Sequence, residues 1–354
     1  MIVELLLVLG GLALLVLGGD LLVKGAVGLS LKLGMTPLVV GLTVVAFGTS
    51  APELLVSLSA ALKGSSGIAM GNVVGSNIAN VLVILGVTAL VSVIVTKGHD
   101  LRESWGMMIA ASLLLIGIAL TGEIGRLEGV ILLLALAAVL WRQLSTGRAE
   151  ETQADGVDGA TLGAGWGRIA VWLGLGLVLL PVGANLLVNG ATDIARAFGI
   201  SETVIGLTLV AIGTSLPELA ASVASALKGR ADMALGNVVG SNIFNILGCL
   251  GLSGLVAGTA GISIAPSVMA FDIWVMLATA IACIPIFLSG REIARWEGFV
   301  FVAYYVFYVT YLVLAAEQHD ALETLTTAMV YFVIPLTLVT TVAIYLRPNR
   351  TGNV

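Results

Sequence analysis

Apolar runs of about 20 residues recur along the whole chain, and short stretches containing Gly, Pro and charged residues separate them. A helix needs about 20 apolar residues to cross a hydrocarbon core about 30 Å thick. The pattern predicts membrane-spanning helices near residues 2–23, 36–61, 69–95, 104–121, 127–142, 168–190, 202–226, 232–258, 268–289, 296–315 and 326–346. The predicted fold is therefore an all-α polytopic membrane protein of about eleven spans.

The composition agrees with a chain that is dissolved mainly in lipid. Hydrophobic residues make up 58% of it, charged residues 10%, and the mean hydropathy is +1.09, whereas soluble domains are about 45–50% apolar. The first run contains Glu4 and Asp20 and lacks a basic start and a cleavage site, so we expect it to remain as the first helix. Cys249 and Cys283 lie in apolar runs without metal-binding spacing, which argues against disulfide or zinc chemistry.

The distribution of basic residues predicts the orientation. If the N-terminus lies outside and eleven helices follow, 13 of the 16 Lys and Arg residues fall on the cytoplasmic side. Such a bias is the usual signature of membrane proteins. The sequence thus predicts a multi-pass protein of the cytoplasmic membrane, with its N-terminus outside and its C-terminus inside.

The chain contains an internal duplication. Residues 41–86 align with residues 206–251 at a constant offset of 165, and 29 of the 46 positions are identical. The second segment starts five predicted helices after the first. Each helix crosses the membrane once, so an odd number of helices makes the two copies enter the membrane from opposite sides. Inverted repeats are a recurring architecture of secondary transporters, with the ion sites near the midplane between the repeats. The predicted organisation is a first five-helix repeat at 1–146, a cytoplasmic linker at 147–167, a second five-helix repeat at 168–316, and an accessory helix and tail at 317–354.

Each copy places one carboxylate deep in an apolar span. Glu53 and Glu218 both follow the sequence Gly-Thr-Ser-x-Pro, and an intramembrane carboxylate is a functional hypothesis by default because its burial costs a few kcal/mol. Pro52 and Pro217 lack a backbone N–H and should kink the helix. We expect the kinks to free carbonyl oxygens at residues 46–48 and 211–213.

The second helix of each copy adds a stripe of polar side chains at a spacing of four, which keeps them roughly on one face. The stripes are Asn72, Ser76 and Asn80, and Asn237, Ser241 and Asn245. Together with the glutamates they offer oxygen atoms only, which suit Ca²⁺ and Na⁺ better than zinc or copper. Two glutamates match the charge of one Ca²⁺, and the same oxygens could hold Na⁺ instead, which is a basis for exchange.

Two further sets of residues beside these stripes have a structural interpretation. Asn77 and Asn242 lie one position away from the stripes, and we expect them to form interhelical hydrogen bonds rather than to bind ions. Small residues four apart predict close helix approach at Gly71, Gly75, Gly236 and Gly240.

The paired GTSxPE and GNxxGSN segments in an inverted duplication resemble the repeats of the calcium/cation antiporter superfamily, in particular its prokaryotic sodium/calcium exchangers. The resemblance implies a ten-helix core, an added eleventh helix, and first and sixth helices that slide past the remainder. It implies that Ca²⁺ is held by Glu53, Glu218, Thr49, Thr214 and the carbonyls of Ala46 and Ala211. It implies flanking Na⁺ sites completed by Ser50, Ser215, Ser76, Ser241, Asn80 and Asn245.

The resemblance leaves the coupling ion open. Proton/calcium antiporters share this fold and glutamate pair, so H⁺/Ca²⁺ antiport is the alternative to Ca²⁺/Na⁺ exchange. Several relatives, including potassium-dependent ones, carry Asp where this chain has Asn245, which disfavours potassium transport.

Other classes of function fit the sequence less well. The repeat lacks the aromatic or basic groups expected for an organic solute, and a channel usually needs oligomeric symmetry. An enzyme would need a nucleophile with a base or a cofactor motif, and neither is evident. We therefore expect no cofactor, no nucleic acid and no obligatory protein partner, only the lipid bilayer and the transported ions.

Overall fold

The computed structural model describes residues 2–95, 101–146, 159–200, 202–258, 261–283 and 292–335. The helices are α1 (Ile2–Leu33), α2 (Pro37–Thr49), α3 (Ala51–Leu62), α4 (Ser66–Val91), α5 (Arg102–Ala119), α6 (Arg126–Thr146), α7 (Gly159–Leu162), α8 (Trp166–Ala197), α9 (202–213), α10 (Leu216–Leu227), α11 (Ala231–Val256), α12 (Val268–Ala282), α13 (Arg295–Ala316) and α14 (Ala321–Ala328), which a π-helical turn (Met329–Val333) extends. The strands are β1 (Ile94–Val95), β2 (Glu123–Ile124), β3 (Ile262–Ser263) and β4 (Glu292–Ile293).

Seven of the described helices are long and apolar enough to cross a membrane, and α2 with α3 makes an eighth if this pair, bent by 47°, is one span. The predicted all-helical membrane fold is confirmed. The count of eleven spans and the orientation stay predictions, because the structure contains no membrane. Most of the predicted linker, and residues 336–346 of the last predicted span, lie outside the described residues.

The helices α4 and α11 form the centre of the molecule. In their most apolar windows, 78% and 89% of the residues are buried, against 22% or less for α1, α6, α8 and α13. These two helices carry the polar stripes of the repeat, so the fold places those side chains away from lipid.

The helices α1 and α8 pack against each other along most of their length. Glycines spaced by seven residues line this contact: Gly11, Gly18 and Gly25 on α1, and Gly176, Gly183 and Gly190 on α8. A Cβ atom at Gly11 would lie 2.6 Å from the carbonyl oxygen of Gly183, and one at Gly183 would lie 2.8 Å from that of Gly11. The glycines thus let the two backbones touch. Sliding of this pair stays a prediction.

Both helices are longer than predicted. α1 continues to Leu33 rather than ending near residue 23, so Lys24 and Lys32 lie in its last turns instead of in a loop. Asp20 is also inside α1, where its carboxylate pairs with Lys24 (2.9 Å) and with Lys228 (2.6 Å) at the end of α10. The side chains in these pairs are one-third to two-fifths exposed, so their charged ends reach solvent. The helix can therefore continue past its apolar stretch without placing a charge in lipid.

The same local structure begins the fifth helix of each repeat. β2 pairs antiparallel with β3, and β1 pairs antiparallel with β4. Glu128 and Glu297 each accept a hydrogen bond from the backbone N–H three residues earlier, at 3.0 Å and 2.8 Å. The glycines that follow, Gly129 and Gly298, pack directly on backbone oxygens at the ends of the two duplicated segments. This explains why the Arg-x-Glu-Gly sequence recurs outside the duplicated block.

Candidate functional site

The duplicated Gly-Thr-Ser-x-Pro segment breaks the helix in both copies. Ser50 (φ −83°, ψ 8°) separates α2 from α3, and Ser215 (φ −89°, ψ 3°) separates α9 from α10. The proline then occupies the first turn of the new helix, where a missing N–H costs nothing. Glu53 and Glu218 therefore lie in the first turns of α3 and α10, where the helix dipole favours a negative charge. The predicted kink is confirmed.

The two glutamates are completely buried and are bonded to each other's repeat. The Ser50 hydroxyl donates to Oε1 of Glu218 at 2.8 Å, and the Ser215 hydroxyl donates to Oε1 of Glu53 at 3.3 Å. The other oxygen, Oε2, has no hydrogen-bond partner on either residue among the described atoms. Two carboxylate oxygens from opposite copies are thus buried and available.

An asparagine on the second helix of each copy holds the helix break in place. Asn72 donates to the backbone carbonyl of its copy's glutamate (3.0 Å) and to the Ser57 hydroxyl (2.9 Å). Asn237 makes the same two bonds, at 3.2 Å to the glutamate carbonyl and 2.9 Å to Ser222. These serines were not among the predicted site residues, although both stand four positions after the glutamate.

The two threonines of the motif differ in their contacts. The Thr49 hydroxyl is buried and donates to Oδ1 of Asn237 at 3.1 Å. The Thr214 hydroxyl lies beside the Glu53 carboxylate, and among the described residues it does not form the equivalent bond to Asn72. The second copy therefore leaves its threonine oxygen available.

The carbonyl oxygens behave differently from the sequence prediction. The Ala46 carbonyl accepts the N–H of Ser50 at 3.0 Å, while the Thr49 hydroxyl lies 3.4 Å away and donates at the shorter distance to Asn237. The expectation of a freed carbonyl is wrong for Ala46, because the donor four residues later is Ser50 and not the proline. In the second copy the N–H of Ser215 bonds instead to Ile212 at 3.0 Å, while Ala211 itself is exposed.

The stripe residues lie at the centre of the molecule. Ser76, Ser241, Asn80 and Asn245 are at most 3% exposed. The Ser241 hydroxyl and Oδ1 of Asn80 have no partner among the described atoms. In both copies the helix widens into a π-helical segment at this level, Asn80–Leu85 and Phe244–Cys249. Such π-segments are frequent at functional sites, and the sequence analysis did not identify them.

The two asparagines beside the stripes have different roles. Oδ1 of Asn242 accepts an interhelical hydrogen bond from Nδ2 of Asn80 at 2.9 Å, as predicted. Asn77 instead donates to the Val73 carbonyl of its own helix at 2.7 Å, so the prediction is wrong for Asn77.

The packing of the half-helices is also unequal between the copies. A Cβ atom at Gly236 or Gly240 would lie 2.5 Å or 2.4 Å from a backbone oxygen of α2. At Gly71 and Gly75, the equivalent positions on α4, it would meet no described atom within 4 Å. Among the described atoms, the predicted close approach thus occurs at Gly236 and Gly240 and not at Gly71 and Gly75. The described contacts are therefore tighter on the side of the Lys228 loop than on the side of the Lys63 loop.

Comparisons with known proteins agree with this arrangement. The sodium/calcium exchanger protein family matches residues 3–145 and 168–314. The sodium/calcium exchanger MaX1 of Methanosarcina acetivorans is 37% identical over 347 residues, covering 88% of this chain and 98% of the relative. The inner membrane protein YrbG of Escherichia coli is 40% identical over 283 residues, covering 78% of this chain and 86% of the relative.

A solved structure has the same fold. The sodium-calcium exchanger NCX_Mj, soaked with Na⁺ and Ca²⁺, superposes with a TM-score of 0.73 at 33% sequence identity, covering 88% of this chain and 98% of that chain. The inverted helix breaks, the buried glutamate pair and these matches lead to one conclusion: the chain belongs to the sodium/calcium exchanger protein family, and it is a multi-pass membrane transporter rather than an enzyme.

Proposed function

We propose that this protein exchanges Ca²⁺ for Na⁺ across the cytoplasmic membrane by alternating access, with the ions bound between the two repeats. The observation that carries the proposal is the pair of buried glutamates from opposite copies, each with one oxygen that has no partner among the described residues. Unpaired carboxylates in such a site are costly unless a cation neutralises them. Two carboxylates match one Ca²⁺ in charge, and oxygen ligands suit it.

The proposed ion ligands are those expected from the sequence. Ca²⁺ is held by Glu53, Glu218, Thr49, Thr214 and the carbonyls of Ala46 and Ala211, and Na⁺ by the flanking Ser50, Ser215, Ser76, Ser241, Asn80 and Asn245. The free oxygens of Thr214, Ser241 and Asn80 support this assignment. The Ala46 carbonyl carries no charge and already accepts the N–H of Ser50, so we expect it to bind the ion more weakly than the carboxylates.

The unequal packing of the two copies supports alternating access. Glycine contacts close the side of the Lys228 loop, and among the described atoms no such contacts occur on the side of the Lys63 loop. Because the copies are inverted, exchanging their two packing arrangements would open the opposite side. If the five-helix repeats span 1–146 and 168–316 and the N-terminus lies outside, we expect the less tightly packed side to be the outer one. We expect the accessory helix at 317–354 to take no part in the site.

The coupling ion is tested by ⁴⁵Ca²⁺ uptake into proteoliposomes. Vesicles loaded with Na⁺, with choline, or with choline and an outward proton gradient are diluted into Na⁺-free ⁴⁵Ca²⁺ buffer. Uptake driven only by outward Na⁺ is the expected result. Uptake driven only by protons would replace the proposal with H⁺/Ca²⁺ antiport, and the absence of coupled uptake would refute both.

A further inference from the structure

Four buried asparagines lie at the centre of the protein, two from each copy: Asn77, Asn80, Asn242 and Asn245. We propose that Asn242 is a positioning residue that turns the Asn80 amide so that its oxygen is available to a Na⁺ ion, and that Asn245 has no such partner. The inference rests on the proposed function, because it assigns unequal roles to two of the proposed Na⁺ ligands.

The orientation of Asn80 is fixed by a chain of two hydrogen bonds. Nδ2 of Asn80 donates to Oδ1 of Asn242 at 2.9 Å, and Nδ2 of Asn242 donates to the Met108 sulfur at 3.3 Å. A thioether only accepts hydrogen bonds, so the amide nitrogen of Asn242 faces Met108 and its oxygen faces Asn80. Asn80 must then direct its own nitrogen towards Asn242. Its Oδ1 is left without a partner among the described atoms.

Among the described residues, the corresponding bond from Asn245 to Asn77 is not formed. Asn77, which corresponds to Asn242, uses its Nδ2 to bond the Val73 carbonyl in its own helix, and its Oδ1 is unpaired. Asn245, which corresponds to Asn80, accepts a hydrogen bond from the Cys249 thiol at 3.6 Å through Oδ1, while its Nδ2 is unpaired among the described atoms.

The two amides therefore differ in what they offer a cation. Asn80 presents an oxygen without rearrangement. Asn245 presents a nitrogen that carries hydrogens. It must turn over before its oxygen becomes available, exchanging the S–H···O contact with Cys249 for an N–H···S contact. In a completely buried position no water compensates a wrongly oriented amide. We expect Na⁺ binding to depend on Asn80 more than on Asn245, although the two positions are equivalent in the sequence.

The test compares Asn242→Ala with Asn77→Ala, the same change at the equivalent position of the other copy. The half-saturating Na⁺ and Ca²⁺ concentrations and the maximal rate are measured in proteoliposomes. Because an interhelical hydrogen bond in a membrane protein is worth a modest free energy, we expect Asn242→Ala to raise the half-saturating Na⁺ concentration about threefold to tenfold. Half-saturation by Ca²⁺ should change by less than about twofold, and Asn77→Ala should leave both values near those of the wild type.

A double-mutant cycle separates positioning from packing. If Asn242 acts through Asn80, the Asn80→Ala/Asn242→Ala variant has the Na⁺ dependence of Asn80→Ala alone. Additive effects would overturn the inference, as would equal shifts in the Asn242 and Asn77 variants. Met108→Leu, a change that cores usually tolerate, should give a smaller shift in the same direction, and it keeps the test decisive if Asn242→Ala does not fold.

The outcomes also separate this inference from the proposed function. Wild-type protein without Na⁺-driven uptake would contradict the proposed function. Wild-type exchange combined with an unchanged Na⁺ dependence in Asn242→Ala and Met108→Leu would contradict only the positioning role.

Discussion

Replacement of Glu218 by glutamine removes one of the two site charges and changes little else. The side chain is completely buried, its Oε1 accepts the Ser50 hydroxyl at 2.8 Å, and its Oε2 is unpaired among the described atoms. Glutamine has nearly the same shape, and its amide oxygen can still accept from Ser50. The effect on calcium binding therefore reports the charge rather than the packing.

The magnitude follows from the burial of this carboxylate. Removing one partner of a fully desolvated, hydrogen-bonded charge pair costs about 2–5 kcal/mol. Each 1.4 kcal/mol is tenfold in affinity, so Ca²⁺ affinity should fall by about 30-fold to 4,000-fold. Without ions, the variant should unfold at the same temperature as the wild type or higher, because an uncompensated buried charge has been removed.

The assay is Ca²⁺ titration of the purified protein in Na⁺-free detergent solution, followed by ⁴⁵Ca²⁺ uptake into proteoliposomes. Asp232→Asn is the matched control, because Asp232 is a buried carboxylate on the adjacent helix that bonds only the Met233 N–H (2.8 Å) among the contacts described. This control should bind Ca²⁺ within about twofold of the wild type, a difference of about 0.4 kcal/mol, because Asp232 makes no described contact with either glutamate. Glu218→Gln protein that binds Ca²⁺ within about threefold of the wild type would refute the reasoning, because that change is worth less than about 0.7 kcal/mol.

Four further substitutions test the glycine packing, an ion pair and a helix cap. Gly240→Ala should lower the free energy of unfolding by about 1–3 kcal/mol, because the new Cβ would lie 2.4 Å from a backbone oxygen. A Cβ at Gly75 meets no described atom within 4 Å, so Gly75→Ala should have little effect on thermal unfolding. Equal effects of the two changes would contradict the unequal packing. Asp20→Asn should cost at most about 1 kcal/mol, because its pair with Lys228 is partly exposed, and a larger loss in thermal unfolding would show a stronger role. Glu297→Ala removes the 2.8 Å cap of α13 and should cost about 0.5–2 kcal/mol in chemical unfolding, and an unchanged midpoint would argue against this cap.

The sequence predicted a buried site built from both copies, because the duplication carries the same glutamate and polar residues twice. A carboxylate after Gly-Thr-Ser-x-Pro, in an otherwise apolar span, indicates a broken helix and a buried charge whatever the surrounding fold. The odd number of helices between the copies required an inverted arrangement. The structure agrees, in that Ser50 reaches Glu218 and Ser215 reaches Glu53.

The sequence did not reveal how the two copies differ. Matching motifs predict matching contacts, yet Thr49 donates to Asn237 of the other repeat while Thr214 does not form the equivalent bond to Asn72 among the described residues. Such differences belong to the conformational state of the whole molecule, which local sequence does not encode. The π-helical segments were missed for another reason: α4 and α11 are buried on nearly all sides, so they have no apolar stripe that an extra residue could interrupt.

The sequence also failed to predict where the first helix ends. The hydropathy pattern ends α1 near residue 23, but the helix continues for ten more residues. Lysine side chains have long apolar stems, and they allow a helix to extend into the interfacial region without exposing a charge to lipid. Apolar length alone therefore underestimates a helix of this kind.

The most direct test of the central claim measures both ions in the same vesicles. Proteoliposomes loaded with ²²Na⁺ are diluted into Na⁺-free buffer with and without ⁴⁵Ca²⁺. The account predicts that external Ca²⁺ accelerates ²²Na⁺ loss in step with ⁴⁵Ca²⁺ entry, and that Glu218→Gln removes both fluxes together. Calcium entry without an accompanying loss of ²²Na⁺, or coupled fluxes that persist in the Glu218→Gln protein, would contradict it.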